Sequence, residues 1–416
     1  MAAAKVPIVI TEGDDTTRTG DSKNDLHLTR RGADIDEAIA TGGISGFDAE
    51  RMRARASLTA EEEKKLMRRV DLRIMTLCSL LFLFKNIDSD NISNARIMNR
   101  GTDRNIMTQL GLTSDEYNLL TVFYYVQEGS QDGNALASRL FLVEGVVTVV
   151  FGLIIYFILP DFPPTAKWLT EKEKAFIQAR LPPNAPRAGE MDFKFSEIIS
   201  SLKDKRLWLF TLIWATFTIG TSGVRFYQPT VIANLGFTTI ARAQLLNLPI
   251  SILSIIVIGI TGWFADNGRL PRPIYPITLM TIILACYGVM VAYPSNGAVY
   301  TATLIGNAVT SSWFPMMWPW RVQTTSRATG SAFSIGFVNS YGQIGGAVGP
   351  QIFLSKYAPR YTQSFGAAMA CVGACVVVTL VTWWVTREIE SETRRLKRAK
   401  VKASKDGMAV LDDVVV

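Results

Sequence analysis

The chain has 416 residues, of which 48% are hydrophobic and 19% are charged, and its formal net charge is +7. A soluble protein has about 25% charged residues, whereas here the apolar residues form runs close to the roughly 20 residues that cross a bilayer, so the composition predicts an all-α polytopic membrane protein. The basic residues flank these runs in the positive-inside pattern, which argues against a nucleic-acid-binding protein.

The cysteine and histidine content argues against a disulfide framework, a metal site and histidine-based catalysis. All four cysteines fall in apolar runs, where we expect them to be reduced, and Cys371 and Cys375 have no His or carboxylate companion. The single histidine, His27, lies in a polar tail. We therefore expect no cofactor and no enzymatic activity.

Residues 1–69 form a tail that we predict to be cytoplasmic and largely disordered. Thr59 and Glu62 have capping-box spacing, which predicts a short helix from Ala60 into Arg69. Four basic residues precede the first apolar run and place this end in the cytoplasm: Lys64, Lys65, Arg68 and Arg69.

The first apolar run closes on a charged stretch from Lys85 to Arg96. Lys85 and Asp88 lie one helical turn apart, where their side chains can pair. Such charges either line a watery cavity inside the protein or mark the point where the helix leaves the bilayer. The lined cavity is the preferred interpretation.

The second apolar run is too short to cross a bilayer. Thr113 and Glu116 form another capping-box pattern, but the helix that follows, Tyr117–Val126, covers only roughly 15 Å. The next full run is Ser138–Leu159. We therefore predict that residues 70–160 are a truncated N-terminal membrane half.

Six regular apolar runs follow a basic cytoplasmic loop, residues 161–206, in which Thr170 and Glu173 begin a soluble helix. They predict an intact C-terminal half, residues 207–386, followed by a basic cytoplasmic tail, residues 387–416. The predicted spans are Leu207–Tyr227, Ala243–Phe264, Ile274–Tyr293, Tyr300–Trp318, Ser331–Leu354 and Ser364–Val385. Four arginines fall in turns that the positive-inside rule places in the cytoplasm: Arg269, Arg272, Arg321 and Arg327.

The turn after the second of these spans resembles a motif of the major facilitator superfamily. The stretch Gly262-Trp263-Phe264-Ala265-Asp266-Asn267-Gly268-Arg269 is similar to the G-x-x-x-D-x-x-G-R turn in the second half of that family. The resemblance implies that Gly262 allows close helix packing, and that Asp266 and Arg269 form a contact that breaks when the carrier switches. A plain tight turn is the alternative.

Other stretches resemble a narrower group of that superfamily, the allantoate-permease-like anion:cation symporters, which are abundant in fungi. Asp88–Arg96 resembles the end of the group's first span, Leu159–Thr170 the segment after its sixth, and Thr324–Ala332 with Gly342–Gln351 its tenth loop and eleventh span. Because Ser138–Gly145 resembles the start of the sixth span, the end of span two through span five is missing by this comparison. A splice variant, a mispredicted gene model or a decayed gene would each give that pattern.

The resemblance implies a substrate site near the bilayer midplane between two helical halves. The candidates for substrate contact are Arg225, Tyr227, Gln228, Asn247, Asn339 and Gln343, and those for ion coupling are Lys85, Asp88 and Glu144. Arg225 either forms two hydrogen bonds with a carboxylate or lies at the membrane interface. Asn339 and Gln343 either share a cavity face or join two helices. Asp88 either carries the coupled proton or stays in an ion pair.

Four glycines lie in the fifth of the six predicted spans: Gly342, Gly345, Gly346 and Gly349. No strand precedes them and the run is apolar, which argues against a phosphate-binding loop. Their spacing predicts close packing against another helix.

The resemblance implies a secondary transporter that takes up a small organic anion with a proton at the plasma membrane. Its partners would be that anion, the proton and the lipid bilayer. The alternative is a non-transporting membrane remnant, or a partner-binding protein of the same fold. Because alternating access needs two bundles around a central site, we expect this chain not to transport by itself.

Overall fold

The computed structural model describes residues 9–11, 26–30, 53–54, 57–79, 105–109, 111, 113, 115–116, 146, 149–150, 152–153, 166–180, 195–234, 246, 248–266, 268–323, 328–358, 360–405 and 408–410. Among these residues, four short helices lie outside the main bundle: α1 (Ala60–Val70), α2 (Ile106–Gln109), α3 (Glu171–Arg180) and α4 (Phe195–Lys203). Six long helices of the described part form the bundle: α5 (Lys205–Asn234), α6 (Leu248–Asp266), α7 (Ile274–Ala292), α8 (Asn296–Gln323), α9 (Ala328–Val348) and α10 (Thr362–Lys405).

Shorter elements connect or flank these helices. A π-helical turn, Asp71–Met75, continues α1, and two 3₁₀ turns, Gly349–Ile352 and Ser355–Tyr357, link α9 to α10. Three strands form a small antiparallel sheet in the order β1-β2-β3. They are β1 (Val9–Thr11), β2 (Leu26–Arg30) and β3 (Met408–Val410), and Leu28 pairs with both Val9 and Val410.

The predicted fold class, an all-α membrane protein, is confirmed by these helices. Within the described residues, four are long and apolar enough to cross a bilayer: Lys205–Ile232, Pro249–Asp266, Ile274–Ala292 and Thr362–Ala403. The other two long helices, α8 and α9, are less apolar because they contain prolines, glycines and polar residues. Even so, the 21 residues of α9 extend about 30 Å.

The six predicted spans correspond to the six long helices, but several ends differ. Helix α5 continues to Asn234 and α8 to Gln323, beyond the predicted ends at Tyr227 and Trp318. The fifth was predicted to reach Leu354, but α9 ends at Val348 and a 3₁₀ turn begins at Gly349. Pro350 at the start of that turn has no amide hydrogen to continue the α-helix. The sixth was predicted to end at Val385, but α10 continues to Lys405.

Helix α5 is at the centre of the bundle, where it packs against α9 and α10, while α7 packs against α8 and α10. The contact with α9 depends on glycine, as predicted. A Cβ at Gly345 would collide with the Thr218 side chain, and one at Gly349 would lie 2.8 Å from the backbone nitrogen of Gly223. Only hydrogen at these positions lets the two backbones come this close.

The three predicted capping boxes are present, although the helix predicted after Thr113, Tyr117–Val126, lies outside the described residues. The amides of Thr59, Thr113 and Thr170 each donate to the glutamate three residues later, at 2.8–2.9 Å. Helix α1 packs against α3 through a small apolar cluster that includes Leu66 and Phe176. The tail before the first predicted span therefore contacts the loop that precedes the C-terminal half.

Candidate substrate site

Arg321 is the most deeply buried cation among the described residues, with 1% of its surface exposed. It lies in the last turn of α8. Arg321 was predicted to lie in a turn, but α8 continues to Gln323, so Arg321 is helical and its side chain packs against its neighbours. Burying a guanidinium costs several kcal/mol unless other groups compensate, so the groups around Arg321 must offset that cost.

Two indole rings flank the Arg321 guanidinium. Its Cζ lies 4.6 Å from the ring centroid of Trp318 and 5.0 Å from that of Trp214. Each contact contributes about 2 kcal/mol when desolvated. Trp214 belongs to α5 and Trp318 to α8, so the cation lies where these two helices meet.

The indoles are held by a larger aromatic cluster. Trp214 packs edge-on against Trp313 and Trp318, with centroids 5.2 and 5.8 Å apart. Phe217 stacks on Trp313 at 3.7 Å. A Cβ at Gly342 would lie 3.1 Å from Trp214 Cδ1, so that glycine leaves the room that Trp214 occupies. The aromatic rings therefore hold Trp214 and Trp318 in place against the Arg321 guanidinium.

Asn339 is the predicted site residue that the structure brings to this charge. Arg321 Nη1 donates to Asn339 Oδ1 at 3.5 Å, which is a long hydrogen bond. Gln343 lies one turn further along α9 and is exposed. Arg321, Asn339, Trp214 and Trp318 are called the arginine site below.

The other predicted substrate residues on α5 lie elsewhere. Arg225 is eleven residues beyond Trp214, which is about 16 Å along the helix. Arg225 is exposed and Gln228 is half-buried. Tyr227 is fully buried, and its hydroxyl donates to the carbonyl of Phe353 at 2.7 Å while their rings stack. In this structure Tyr227 joins α5 to the segment after α9.

The remaining candidates lie outside the described residues. They are the ion-coupling residues Lys85, Asp88 and Glu144, and the substrate candidate Asn247. Within the described ranges, no three His, Cys, Asp or Glu side chains come together that could hold a metal ion.

The turn predicted to switch the carrier contacts α10. Asp266 was expected to pair with Arg269, but its carboxylate instead lies 3.2 Å from Nζ of Lys397. The carbonyl of Arg269 accepts a hydrogen bond from Nη2 of Arg398 at 2.6 Å. A Cβ at Gly262 would meet no atom of the described residues within 4 Å, so these residues give it no close helix contact.

Comparison with known proteins agrees with this architecture. A profile of the family described as Major Facilitator Superfamily matches residues 134–350. The MFS-type transporter cnsO of Penicillium expansum is 28% identical over 284 residues, which cover 64% of this chain and 54% of that protein.

Two other relatives are similarly distant. The allantoate permease of Saccharomyces cerevisiae is 25% identical over 286 residues, which cover 64% of this chain and 50% of the permease. The major facilitator-type transporter hxnP of Emericella nidulans is 23% identical over 251 residues, 59% of this chain and 50% of hxnP. The chain spans about half the length of these curated relatives. Because the family profile covers more than half of its 416 residues, the chain belongs to the major facilitator superfamily.

Proposed function

We propose that this multi-pass membrane protein binds a small organic anion, and that a complete carrier of its fold takes that anion across the plasma membrane together with a proton. The observation that carries the proposal is the arginine site, in which a guanidinium is almost completely buried between two indole faces. An ionisable residue inside a membrane bundle marks a functional site by default.

A carboxylate is the anion that best matches this charge. A guanidinium presents N–H donors in a planar fork that fits two carboxylate oxygens, and its charge does not depend on pH in the physiological range. The Asn339 amide lies beside it and can donate through its nitrogen to the same anion. The cation–π contacts offset part of the burial cost of Arg321, and a bound anion would offset more of it.

One of the relatives supports a small polar anion as the substrate. It is named an allantoate permease, and the motif resemblances point to the same group of anion:cation symporters. We propose membership of that group for this chain. The coupled proton would then bind Asp88 or Glu144 in the N-terminal half, with Lys85 as the neighbouring cation.

Binding of the anion can be tested separately from transport. The purified chain should bind radiolabelled small carboxylates, and Arg321→Ala should abolish that binding. Arg321→Lys should restore little, because an ammonium lacks the planar fork. Arg360→Ala removes an exposed arginine near Tyr293 and serves as the matched control. Equal carboxylate binding by the Arg321→Ala and Arg360→Ala variants would disprove the assignment.

The second candidate function is a non-transporting protein of the same fold. The alignments cover only about half of each relative, which favours this candidate. The proposal that residues 70–160 are a truncated membrane half favours it as well. Uptake of labelled carboxylates at acidic external pH, in a host that lacks its own permeases, separates the candidates. We expect carboxylate binding without uptake, and saturable proton-dependent uptake would identify a complete carrier.

A further inference from the structure

A small groove lies between the turn that joins α6 to α7 and the part of α10 beyond the predicted span. Its lining includes Ala265, Gly268 and Thr393, and its cavity volume is about 10 Å³, which is room for about one water molecule. The groove is therefore shallow, and a larger ligand would bind at its open mouth rather than inside it.

Backbone contacts hold the groove in shape. Arg398 donates from Nε to the carbonyl of Gly268 at 2.9 Å, and from Nη2 to the carbonyl of Arg269 at 2.6 Å. The backbone amide of Arg272 donates to Oε1 of Glu390 at 3.2 Å. Gly268 has a φ of +63°, which favours glycine and lets the turn lie flat against α10. The shape of the groove is thus held by Arg398, by Glu390 and by backbone atoms. It does not depend on the side chains of Arg272 and Arg394.

The lining carries a surplus of positive charge. It contains three cations, Arg272, Arg394 and Lys397, against one carboxylate, Glu390. Asp266 lies just outside and is ion-paired with Lys397. Desolvation lowers the pKa of Arg272 below its ordinary value, although Asp266 and Glu390 partly oppose the shift. Arg272 stays charged near neutral pH, so an anion at the mouth of the groove meets net positive charge.

The surroundings of the groove indicate where that anion comes from. Trp263 and Phe264, in the last turn of α6, are 65% and 51% exposed, and Leu270 in the turn is 50% exposed. On α10, Trp384 is also exposed, with Arg387 above its ring at 5.9 Å. Exposed aromatic residues at the ends of spanning helices lie at the level of the lipid headgroups. The groove therefore opens where phospholipid phosphates are concentrated.

We propose that this groove binds the phosphate of an anionic phospholipid from the cytoplasmic leaflet. Arg272 and Arg394 donate to the phosphate oxygens, and Trp263, Phe264 and Leu270 contact the upper part of the acyl chains. A lipid bound there bridges the α6–α7 turn and α10. This site is independent of the arginine site and of any transported anion.

A pair of charge-matched variants tests the proposal. Arg272→Gln combined with Arg394→Gln removes two charges from the groove but leaves the backbone bond of Arg272 and the Asp266–Lys397 pair. Lys402→Gln combined with Lys405→Gln removes two charges from the exposed end of the same helix. The purified chain in phosphatidylcholine nanodiscs is titrated with fluorescent phosphatidylserine, and retained lipid is counted by native mass spectrometry.

We expect the groove variant to bind phosphatidylserine roughly 10-fold more weakly or worse, and the control variant to bind it like the unaltered chain. If both variants bound phosphatidylserine equally weakly, the binding would be a non-specific attraction to a basic helix, and the proposal would be overturned. Equal retention of phosphatidylserine and phosphatidylcholine would also overturn it. Displacement of the lipid by millimolar inorganic phosphate would assign the groove to a soluble anion instead.

Discussion

Asp115 precedes Ser355 by 240 positions, and its carboxylate accepts two hydrogen bonds from that serine, one from the backbone amide at 2.8 Å and one from the hydroxyl at 2.6 Å. The two residues belong to the predicted N-terminal and C-terminal halves, and both lie at the predicted outer end. Their contact therefore joins the halves on that side. In a carrier whose halves rock about a central site, such a contact breaks when the outer side opens.

The first prediction is that Asp115→Ala opens the outer end. Spin labels at Thr108 and Lys356, in a chain without its native cysteines, should report a longer distance in this variant by double electron–electron resonance. Ser355→Ala should have a smaller effect, because the backbone amide of residue 355 still donates. Identical distance distributions in all three chains would show that the contact does not hold the halves together.

A second prediction concerns acidification at the predicted outer end. Hydrogen bonds from the Thr113 backbone and side chain hold the pKa of Glu116 below its ordinary value of 4.5. A depressed folded-state pKa means that the capping box contributes stability at pH above 4.5 and loses it as the pH falls through the folded-state value. The cap should therefore survive mildly acidic external conditions.

Hydrogen–deuterium exchange of the peptide that begins at Thr113, corrected for intrinsic rates, measures this effect. Its protection should be constant from neutral pH to 4.5 and then decrease. Glu116→Gln keeps an acceptor for the box but cannot titrate, so its protection should not decrease in acid. A loss of protection already at pH 6 would contradict the depressed pKa.

The third prediction concerns the glycine contact between α5 and α9. Gly345→Ala places a Cβ against Thr218, and overpacking of this kind costs about 1–3 kcal/mol. Gly336→Ala, on the same helix, meets no described atom within 4 Å. The thermal unfolding midpoint of the purified chain should therefore fall for Gly345→Ala and stay level or rise for Gly336→Ala. Equal midpoints would mean that α9 moves away from α5 at little cost.

A fourth prediction separates the structural tyrosine from the candidate ligands. Tyr227→Phe leaves the buried carbonyl of Phe353 without its donor, and we expect a loss of about 1 kcal/mol in unfolding free energy. Carboxylate binding should persist because Trp214 of the arginine site lies several turns before Tyr227 in α5. Tyr341→Phe, at an exposed position, is the control for removal of a hydroxyl. Loss of carboxylate binding with an unchanged unfolding free energy would instead indicate that Tyr227 contacts the substrate.

The fifth prediction concerns Arg225. Because it is exposed and about 16 Å along α5 from Trp214, we expect Arg225→Ala to bind carboxylates within about twofold of the unaltered chain, in contrast to Arg321→Ala. Equilibrium binding of the radiolabelled ligand measures both. Complete loss in Arg225→Ala, with poor rescue by Arg225→Lys, would instead give Arg225 the bidentate role.

The sequence predicted features that depend on neighbouring residues. The Thr59 and Thr170 helix starts and the six long helices follow from capping spacing and apolar runs, and the glycines of α9 follow from their position within one run. These are local signals. They need no knowledge of which helix lies beside which.

The features that the sequence did not predict depend on distant partners. Trp214 lies more than 100 positions before Arg321 and packs against its guanidinium. The positive-inside rule takes no account of such distant contacts, so it assigned Arg321 to a turn. Asp266 was matched to the nearby Arg269, while its partner Lys397 is 131 positions away. Only the packing of α10 against the turn brings those two charges together.

The length of α10 has a mechanical consequence. Its 44 residues extend about 66 Å, roughly twice the 30 Å thickness of the hydrocarbon core. The helix is therefore a rod that transmits tilting of the C-terminal half well beyond the membrane surface. At its far end β3 pairs with β2, and β2 with β1, so a movement of this end of α10 would also move those two strands. A reporter placed on β1 or on β3 would sense the same motion.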